Sequence, residues 1–312
     1  MEDMIRVEST NIIEKQAINE ELYTRFLNYL DVRPKTVETY KKAIRQFLVY
    51  LQENDIRYPE RDDVIRFRDQ LKENHKPSTV QLYIIAVKQF FKWLAQEGIY
   101  QDITVNVKGA KLDRSHKKDY LTQSQSHRMM EKIDRETMKG KRDYAILAAM
   151  ITGGLRTIEV IRADIQDLGT AGGSTVLYLQ GKGHDEKADY VKIPAPVEEA
   201  IRDYLAERKR AKGTDPLFAS LSHQNMGKRM TTRAVSGIVK DHLIEAGYNS
   251  DRLTAHSMRH TAATLNLLNG GSLEETQQLL RHTNINTTMI YLHNLERANN
   301  NSEARIAAAV FG

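Results

Sequence analysis

Residues 34–51, PKTVETYKKAIRQFLVYL, repeat Tyr40, Ile44, Phe47, Leu48 and Leu51 at three- and four-residue spacing. That period lines the apolar side chains along one face of a helix. Pro34 stands at the helix start, where its missing N–H costs nothing. Outward from this stretch, residues 20–31 (EELYTRFLNYLD) put Leu22, Phe26 and Leu30 on a shared face. Residues 61–74 do the same with Val64, Phe67 and Leu71. Pro77 opens a further helix with Tyr83, Ile84, Val87, Phe90, Phe91 and Leu94 inward, and Gly98 stops it. Short connections between such helices predict a compact four-helix bundle.

Past residue 105 the period fails. Residues 106–118 (NVKGAKLDRSHKK) set Lys108, Lys111, Arg114, Lys117 and Lys118 against Asp113 alone. The segment reads as a basic linker, either simply solvated or laid along a polyanion. Beyond it, Thr122 can cap a helix to about Ile133, and residues 141–153 form an apolar helix ending at Gly153-Gly154. Residues 174–180 alternate like a strand, Gly181-Lys182-Gly183 turns, and residues 189–193 return. Helices are expected at roughly 196–211, 231–246, 258–268, 272–281 and 286–293. The fold class is therefore mainly α: an N-terminal four-helix domain (18–105) behind a leader (1–17), then a mainly helical domain with a small antiparallel sheet (119–295). A tail, 296–312, follows, and Ser302 can cap a short helix in it. Ile306, Val310 and Phe311 on that helix need a surface, either the chain's own or a neighbour's.

Composition narrows the function. The chain has 312 residues, a net charge of +5 and no cysteine. Disulfides and thiolate chemistry are excluded. The leader is acidic and the body basic, which suits a polyanionic partner as well as an ordinary soluble protein. No apolar run approaches the ~18–20 residues of a membrane span. The first residues carry mixed charge and no apolar stretch, so no signal peptide is expected and the chain is expected to stay in the cytoplasm.

Four clusters can carry chemistry. In Gly153-Gly154-Leu155-Arg156, two glycines precede an arginine, with Glu159 three residues on and on the same helical face. Alone, this is equally a surface ion pair. Lys182 sits between two glycines, as exposed turn lysines often do. His256 and Arg259 are three apart in Thr254–His260, so both can face one point, and an arginine fork suits a phosphate. His256, His260, His282 and His293 supply no metal-binding spacing with an acidic or thiolate partner, so no metal is expected. In Leu279–His293, His282 is followed nine residues later by Tyr291, which alone could be a core residue.

In order, these clusters resemble the tyrosine recombinases, the family of phage integrases and Xer-type enzymes. The resemblance rests on Gly-Leu-Arg with a later Glu, the Gly-Lys-Gly turn, His-x-x-Arg-His, and Leu-x-His followed by Thr-Thr-x-x-Tyr-x-His. Pro34-x-Thr-x-x-x-Tyr40 and Phe90-Phe91 resemble the family's SAM-like core-binding domain. One departure stands out: Arg281 occupies the place before the second histidine where many members have glycine.

The resemblance implies metal- and cofactor-free transesterification of DNA through a 3′-phosphotyrosine. Tyr291 would attack. Arg156 and Arg259 would clamp the phosphate oxygens, and His282 would add a hydrogen bond. His256 would act as base, Lys182 as general acid, and Glu159 would orient the arginines. Double-stranded DNA sites, with four protomers in a synaptic complex, are the implied partners. Lys108, Lys111, Arg114, Lys117 and Lys118 are the DNA-contact candidates. A mobile-element integrase is the expected role. Xer-like dimer resolution, a type IB topoisomerase and a non-enzymatic DNA-binding regulator remain alternatives. No separate arm-binding domain is expected before residue 18.

Overall fold

The computed structural model describes residues 17–112, 119–180, 186, 187, 189–298 and 300–311. The chain divides into two compact units, Met1–Ser115 and His116–Gly312. In the first, α1 (Glu20–Tyr29), α2 (Pro34–Glu53), α3 (Arg61–Asn74) and α4 (Pro77–Gln96) form a bundle. Asn19 caps α1 through its side chain, and proline opens both α2 and α4. The core is aromatic. Phe26 meets Phe90 edge-on at 5.2 Å, and Phe47 meets Phe67 in the same way at 5.1 Å. Quadrupole matching favours such edge contacts beyond simple area burial. Tyr100, Ile103 and Val107 enter the same core, so the chain after α4 is packed down rather than free as far as Val107.

The second unit is built around α6 (Met138–Gly153), buried on nearly all sides through Ala145–Met150. Around it lie α5 (Gln123–Glu131), α7 (Thr157–Arg162), α8 (Ala195–Ala206), α9 (Thr232–Glu245), α10 (Ala255–Leu268), α11 (Leu273–Leu280) and α12 (Asn286–Ala298). α8 and α10 pack directly on α6. Thr122 caps α5 with a reciprocal Gln125 contact, as its position predicts.

The sheet is antiparallel, in the order β1 (Leu168–Ala171), β2 (Ser174–Leu179), β3 (Asp189–Lys192). Leu177, Leu179 and Val191 turn into the core. β1 was not among the expected strands. Its signal is Gly172-Gly173, both at positive φ, which makes the two-residue hairpin turn into β2.

Several helix bounds also differ from expectation: α6 begins at Met138, three residues early, where Thr137 caps it. α8 stops at Ala206, because the Glu-Arg-Lys-Arg run beyond it offers nothing to bury and Arg208 bonds back to the carbonyls of Pro216 and Leu217. α10 starts at Ala255, where Thr254 and Ser257 cap each other, so His256 falls inside the helix. α12 runs on to Ala298. Among the described residues no helix is long and apolar enough to cross a membrane.

A buried polar cluster ties α6 to α9. The carboxylate of Asp143, fully buried, accepts from Lys139 at 3.0 Å and Arg142 at 2.9 Å, and lies 3.3 Å from Nε2 of His242. Glu245 is 2.7 Å from Nδ1 of the same ring. The hydrogen bond to Asp143 outweighs burial and raises the histidine's pKa. The folded chain therefore holds this proton more tightly than the unfolded chain. The resulting stabilisation is complete below the ordinary histidine pKa of about 6.5 and is lost as pH rises through the folded value. Melting of the wild type should accordingly fall over that rising window relative to H242Q, which lacks the titration; parallel pH profiles of Tm for the two proteins would contradict it.

Candidate active site

The site begins where α6 ends. Gly154 takes a left-handed conformation, φ 57°, and a Cβ there would come within 2.8 Å of Leu280. Glycine is thus favoured on two counts. The turn delivers Arg156 to the start of α7. Its N–H donates to Oε2 of Glu159 at 2.7 Å, and its guanidinium donates to Oε1, also at 2.7 Å. Glu159 is 1% exposed, so the pair is no surface ion pair.

α10 contributes His256, exposed, and Arg259, 1% exposed. Arg259 donates from Nη1 to the Gly154 carbonyl at 2.5 Å and from Nη2 to the Leu280 carbonyl. One buried arginine thus joins the ends of α6 and α11. Arg156 and His256 also line a cavity of about 530 Å³ with Thr157, Ser236, Lys240 and Thr254.

α11 closes at Arg281, in the left-handed region at φ 52°. The Arg281 N–H donates to the Gln278 carbonyl and the His282 N–H to the Gln277 carbonyl, the pairing of a Schellman end. A non-glycine residue there costs roughly 1–2 kcal/mol. The Arg281 side chain offsets it. It donates to Leu279 O at 2.7 Å, to Gly153 O and Gly154 O at 3.3 Å each, and to Oε2 of Glu159 at 2.9 Å. A single charge-assisted hydrogen bond contributes roughly 1.5–3 kcal/mol, enough to cover the backbone strain.

The Schellman turn aims His282 back at this cluster. Its Nδ1 pairs with the Thr288 hydroxyl at 2.9 Å, and its carbonyl accepts from Gln277. On α12, Tyr291 is 5% exposed and packs with Ala263 and Leu280. Its ring lies 5.2 Å from His260, which lies 4.6 Å from His256.

The electrostatics follow from three guanidinium groups facing one carboxylate. Burial acts against the Glu159 anion, but Arg281 and Arg156 overcome it and hold its pKa below the usual range. Arg259 is pushed down to about 9, by burial and then by Arg156 and Arg281. His282 is pushed down to about 4, by burial and then by Arg259, Arg156, Arg281 and His256. Burial raises the Tyr291 phenol, and Arg259 and Arg156 pull it part of the way back. These groups perturb one another because they share one place, and that place carries excess positive charge suited to an anion.

Of the residues expected from sequence, Arg156, Glu159, His256, Arg259, His282 and Tyr291 come together. Lys182 lies outside the described residues, as do Arg114, Lys117 and Lys118. Lys108 and Lys111 belong to the first unit and are exposed. Sequence reasoning gave no part to Thr288, His260 or the side chain of Arg281. The signal for Arg281 was an arginine at a helix end where glycine is usual. Among the described residues no group of three or more histidine, aspartate or glutamate side chains gathers as a metal site would.

Residues 119–297 match the phage integrase family, and residues 23–98 match the phage integrase N-terminal SAM-like domain. The chain is 30% identical over 283 residues to the tyrosine recombinase XerC of Herpetosiphon aurantiacus, covering 86% of this chain and 89% of that protein. It is 27% identical to XerD of Listeria innocua, over 88% and 94% of the two chains. In structure it is similar to the XerH recombinase bound to a palindromic difH substrate, with TM-score 0.68 and 21% identity over 91% of this chain and 89% of that one. It is also similar to a lambda integrase tetramer bound to a Holliday junction, with TM-score 0.68 and 14% identity over 90% and 79%. The two structural likenesses show the fold.

The crowded arginines give a direct expectation. The imidazole of His282 should titrate near pH 4 by NMR, assigned with H282Q. Millimolar inorganic phosphate should raise that midpoint, because an anion offsets the guanidinium charges. A midpoint near the ordinary 6.5, unmoved by phosphate, would contradict the arrangement.

Proposed function

Because the chain belongs to the phage integrase family and is a tyrosine-type DNA recombinase, we propose that it cuts and rejoins specific DNA sites through a 3′-phosphotyrosine on Tyr291. One observation carries this reading: Tyr291, His256, His282, Arg156 and Arg259 converge on a place with excess positive charge. A phosphodiester is anionic and repels nucleophiles, and the pentavalent transition state is more negative still. Donors fixed in advance where that charge grows lower the barrier.

Arg156 and Arg259 clamp the nonbridging oxygens. His282, uncharged near neutral pH, donates from Nε2 when the Thr288 hydroxyl donates to Nδ1. The phenol of Tyr291 needs a base, and His256 on the neighbouring helix takes the proton. Lys182 protonates the departing 5′ oxygen. Bond energy is kept in the phosphotyrosine, so a free 5′ hydroxyl from another strand reverses the step without ATP. The exposed lysines Lys108 and Lys111, with Arg114, Lys117 and Lys118, contact phosphates and supply affinity rather than sequence choice. The enzyme works in the cytoplasm, on double-stranded DNA.

The tail, α13 (Ser302–Phe311), has no buried residue, and Phe311 is 88% exposed. An isolated helix of this length is marginal in water. Its apolar side chains fit a neighbouring protomer, each passing its tail onward in a tetramer on DNA.

The wording of Thr157–Val160 and Ile290–His293 favours integration and excision of a mobile element. The likeness to XerC and XerD over most of the chain supports a second reading, resolution of chromosome or plasmid dimers. Inverted repeats in the DNA beside the coding region, or a chromosomal terminus site, separate the two.

On nicked duplexes made from that flanking DNA, the wild type should form a covalent adduct on denaturing gels. Y291F should form none while still shifting the duplex on native gels. An adduct that persists in Y291F would remove Tyr291 from the mechanism. Deleting residues 303–312 should leave single-site binding nearly unchanged but impair synapsis and strand exchange. Normal recombination by the truncated chain, with a tetramer on DNA by analytical ultracentrifugation, would rule out tail exchange.

A further inference from the structure

Arg281 stands at a backbone position that the fold needs and that glycine fills at least strain. The Schellman pairing of Arg281 and His282 with Gln278 and Gln277 forces a left-handed residue there whatever its side chain. The side chain is 8% exposed; Nη1 and Nη2 have exchanged water for protein acceptors, while the buried Nε has no hydrogen-bond partner among the described residues. Those acceptors are not scattered. Three are carbonyls at the converging ends of α6 and α11, and the fourth is the Glu159 carboxylate.

Glu159 is also the group that holds Arg156, and its two oxygens divide the work. Oε1 takes the Arg156 guanidinium. Oε2 takes the Arg156 N–H and the Arg281 guanidinium together. A carboxylate held on one oxygen from two directions cannot rotate about its last torsion without breaking both bonds. Its other oxygen is therefore fixed in space, and with it the Arg156 fork at the edge of the cavity.

We propose that Arg281 is a positioning residue for strand cleavage: it clamps Glu159, through Glu159 it fixes the phosphate-binding fork of Arg156, and it anchors the turn that presents His282. This inference rests on the recombinase chemistry assigned above to Arg156 and Tyr291. It gives Arg281 no contact with DNA. Its contacts all point inward, so the expected loss falls on the rate of cleavage rather than on the affinity for the site. Misplacing a phosphate ligand by about 1 Å can cost on the order of 100-fold in rate.

Arg281 has a second consequence that a purely structural clamp would lack. It is one of three guanidinium cations that face His282, with Arg259 on α10 and Arg156 at the start of α7; the titratable His256 on α10 faces it too, and the Thr288 hydroxyl on α12 is the neutral partner. Taking away the Arg281 charge lets His282 hold a proton at higher pH.

The test compares the wild type with R281G, R281Q and R281K. R281G suits the left-handed backbone, so it separates the side chain's role from the fold's need. Expected for R281G and R281Q are Tm values within a few degrees of the wild type, equal site affinity by gel shift, and adduct formation slowed about 10- to 100-fold on nicked duplexes. The His282 midpoint should rise by NMR in both. R281K keeps the charge without the fork; it should hold the His282 midpoint low and recover part of the rate.

Wild-type cleavage rates in R281G and R281Q, or loss of Tm, binding and cleavage together in both, would overturn the proposal. So would an unmoved His282 midpoint. The recombinase reading fails separately, by an adduct that persists in Y291F or by none from the wild type. In the latter case the His282 midpoints of the DNA-free proteins still decide whether Arg281 acts on this cluster.

Discussion

Glu159 lies almost wholly out of water among guanidinium groups, and it stays an anion there because Arg156 and Arg281 hold it. Desolvation of a lone carboxylate would drive it to take up a proton. The arrangement is reciprocal. Without the carboxylate, Arg156 and Arg281 would meet Arg259 with nothing between them. The elements around the site follow from keeping these four side chains in reach of one another. Gly154 lets α6 end close enough to Leu280 for Arg259 to bridge both carbonyls. The left-handed turn at Arg281 brings α11 back to the same point.

Much of this was legible in sequence, because helix period and cap chemistry are local. The faces of α2, α3 and α4, the prolines that open α2 and α4, and the Thr122 cap are properties of a few neighbouring residues. The three short words containing Arg156, His256 with Arg259, and His282 with Tyr291 were legible for the same reason. What sequence could not give was burial. Arg156–Glu159 reads as a surface pair until α10 and α11 are packed against it. Arg281 reads as a small departure until its side chain is seen to cross to a carboxylate far away in sequence. β1 was missed because four residues with one large apolar side chain, Leu168, carry little period, although the Gly172-Gly173 turn marked the hairpin.

His242, buried, and His282, half-buried, make the point sharper. His242 sits between Asp143 and Glu245 and is pushed toward the charged form. His282 sits among arginines and is pushed toward the neutral form. Each has a charged neighbour close in sequence, Glu245 three residues after His242 and Arg281 directly before His282. The larger influences lie outside the local sequence, Asp143 on α6 for His242 and burial with Arg259 and Arg156 for His282, so function inferred for a histidine from its motif alone leaves its protonation undetermined. On the proposed reading the neutral form of His282 matters, because it can donate a hydrogen bond to the phosphate without adding a further positive charge.

Charge counting explains why that restraint is useful on the reading proposed above. Arg156, Arg259 and Arg281 against Glu159 leave two positive charges in excess. A phosphodiester brings one negative charge, whereas the pentavalent species formed by phenolate attack approaches two. The free site is overcharged, since three guanidinium groups face one carboxylate, and Arg156 and Arg281 add to the burial that lowers the affinity of Arg259 for its proton. Ground-state DNA relieves that only in part, and the transition state relieves it more fully. An interaction that strengthens along the reaction in this way lowers the barrier rather than merely tightening binding. A neutral glycine in place of Arg281 would leave a single excess charge, matched to the ground state. The burial of Tyr291 works in the same direction: desolvation makes its phenolate costly in the free protein, and Arg259 and Arg156 offset part of that cost. On that reading Tyr291, the proposed nucleophile, stays the neutral phenol until a base and a phosphate are both in place, which ties the chemistry to bound DNA.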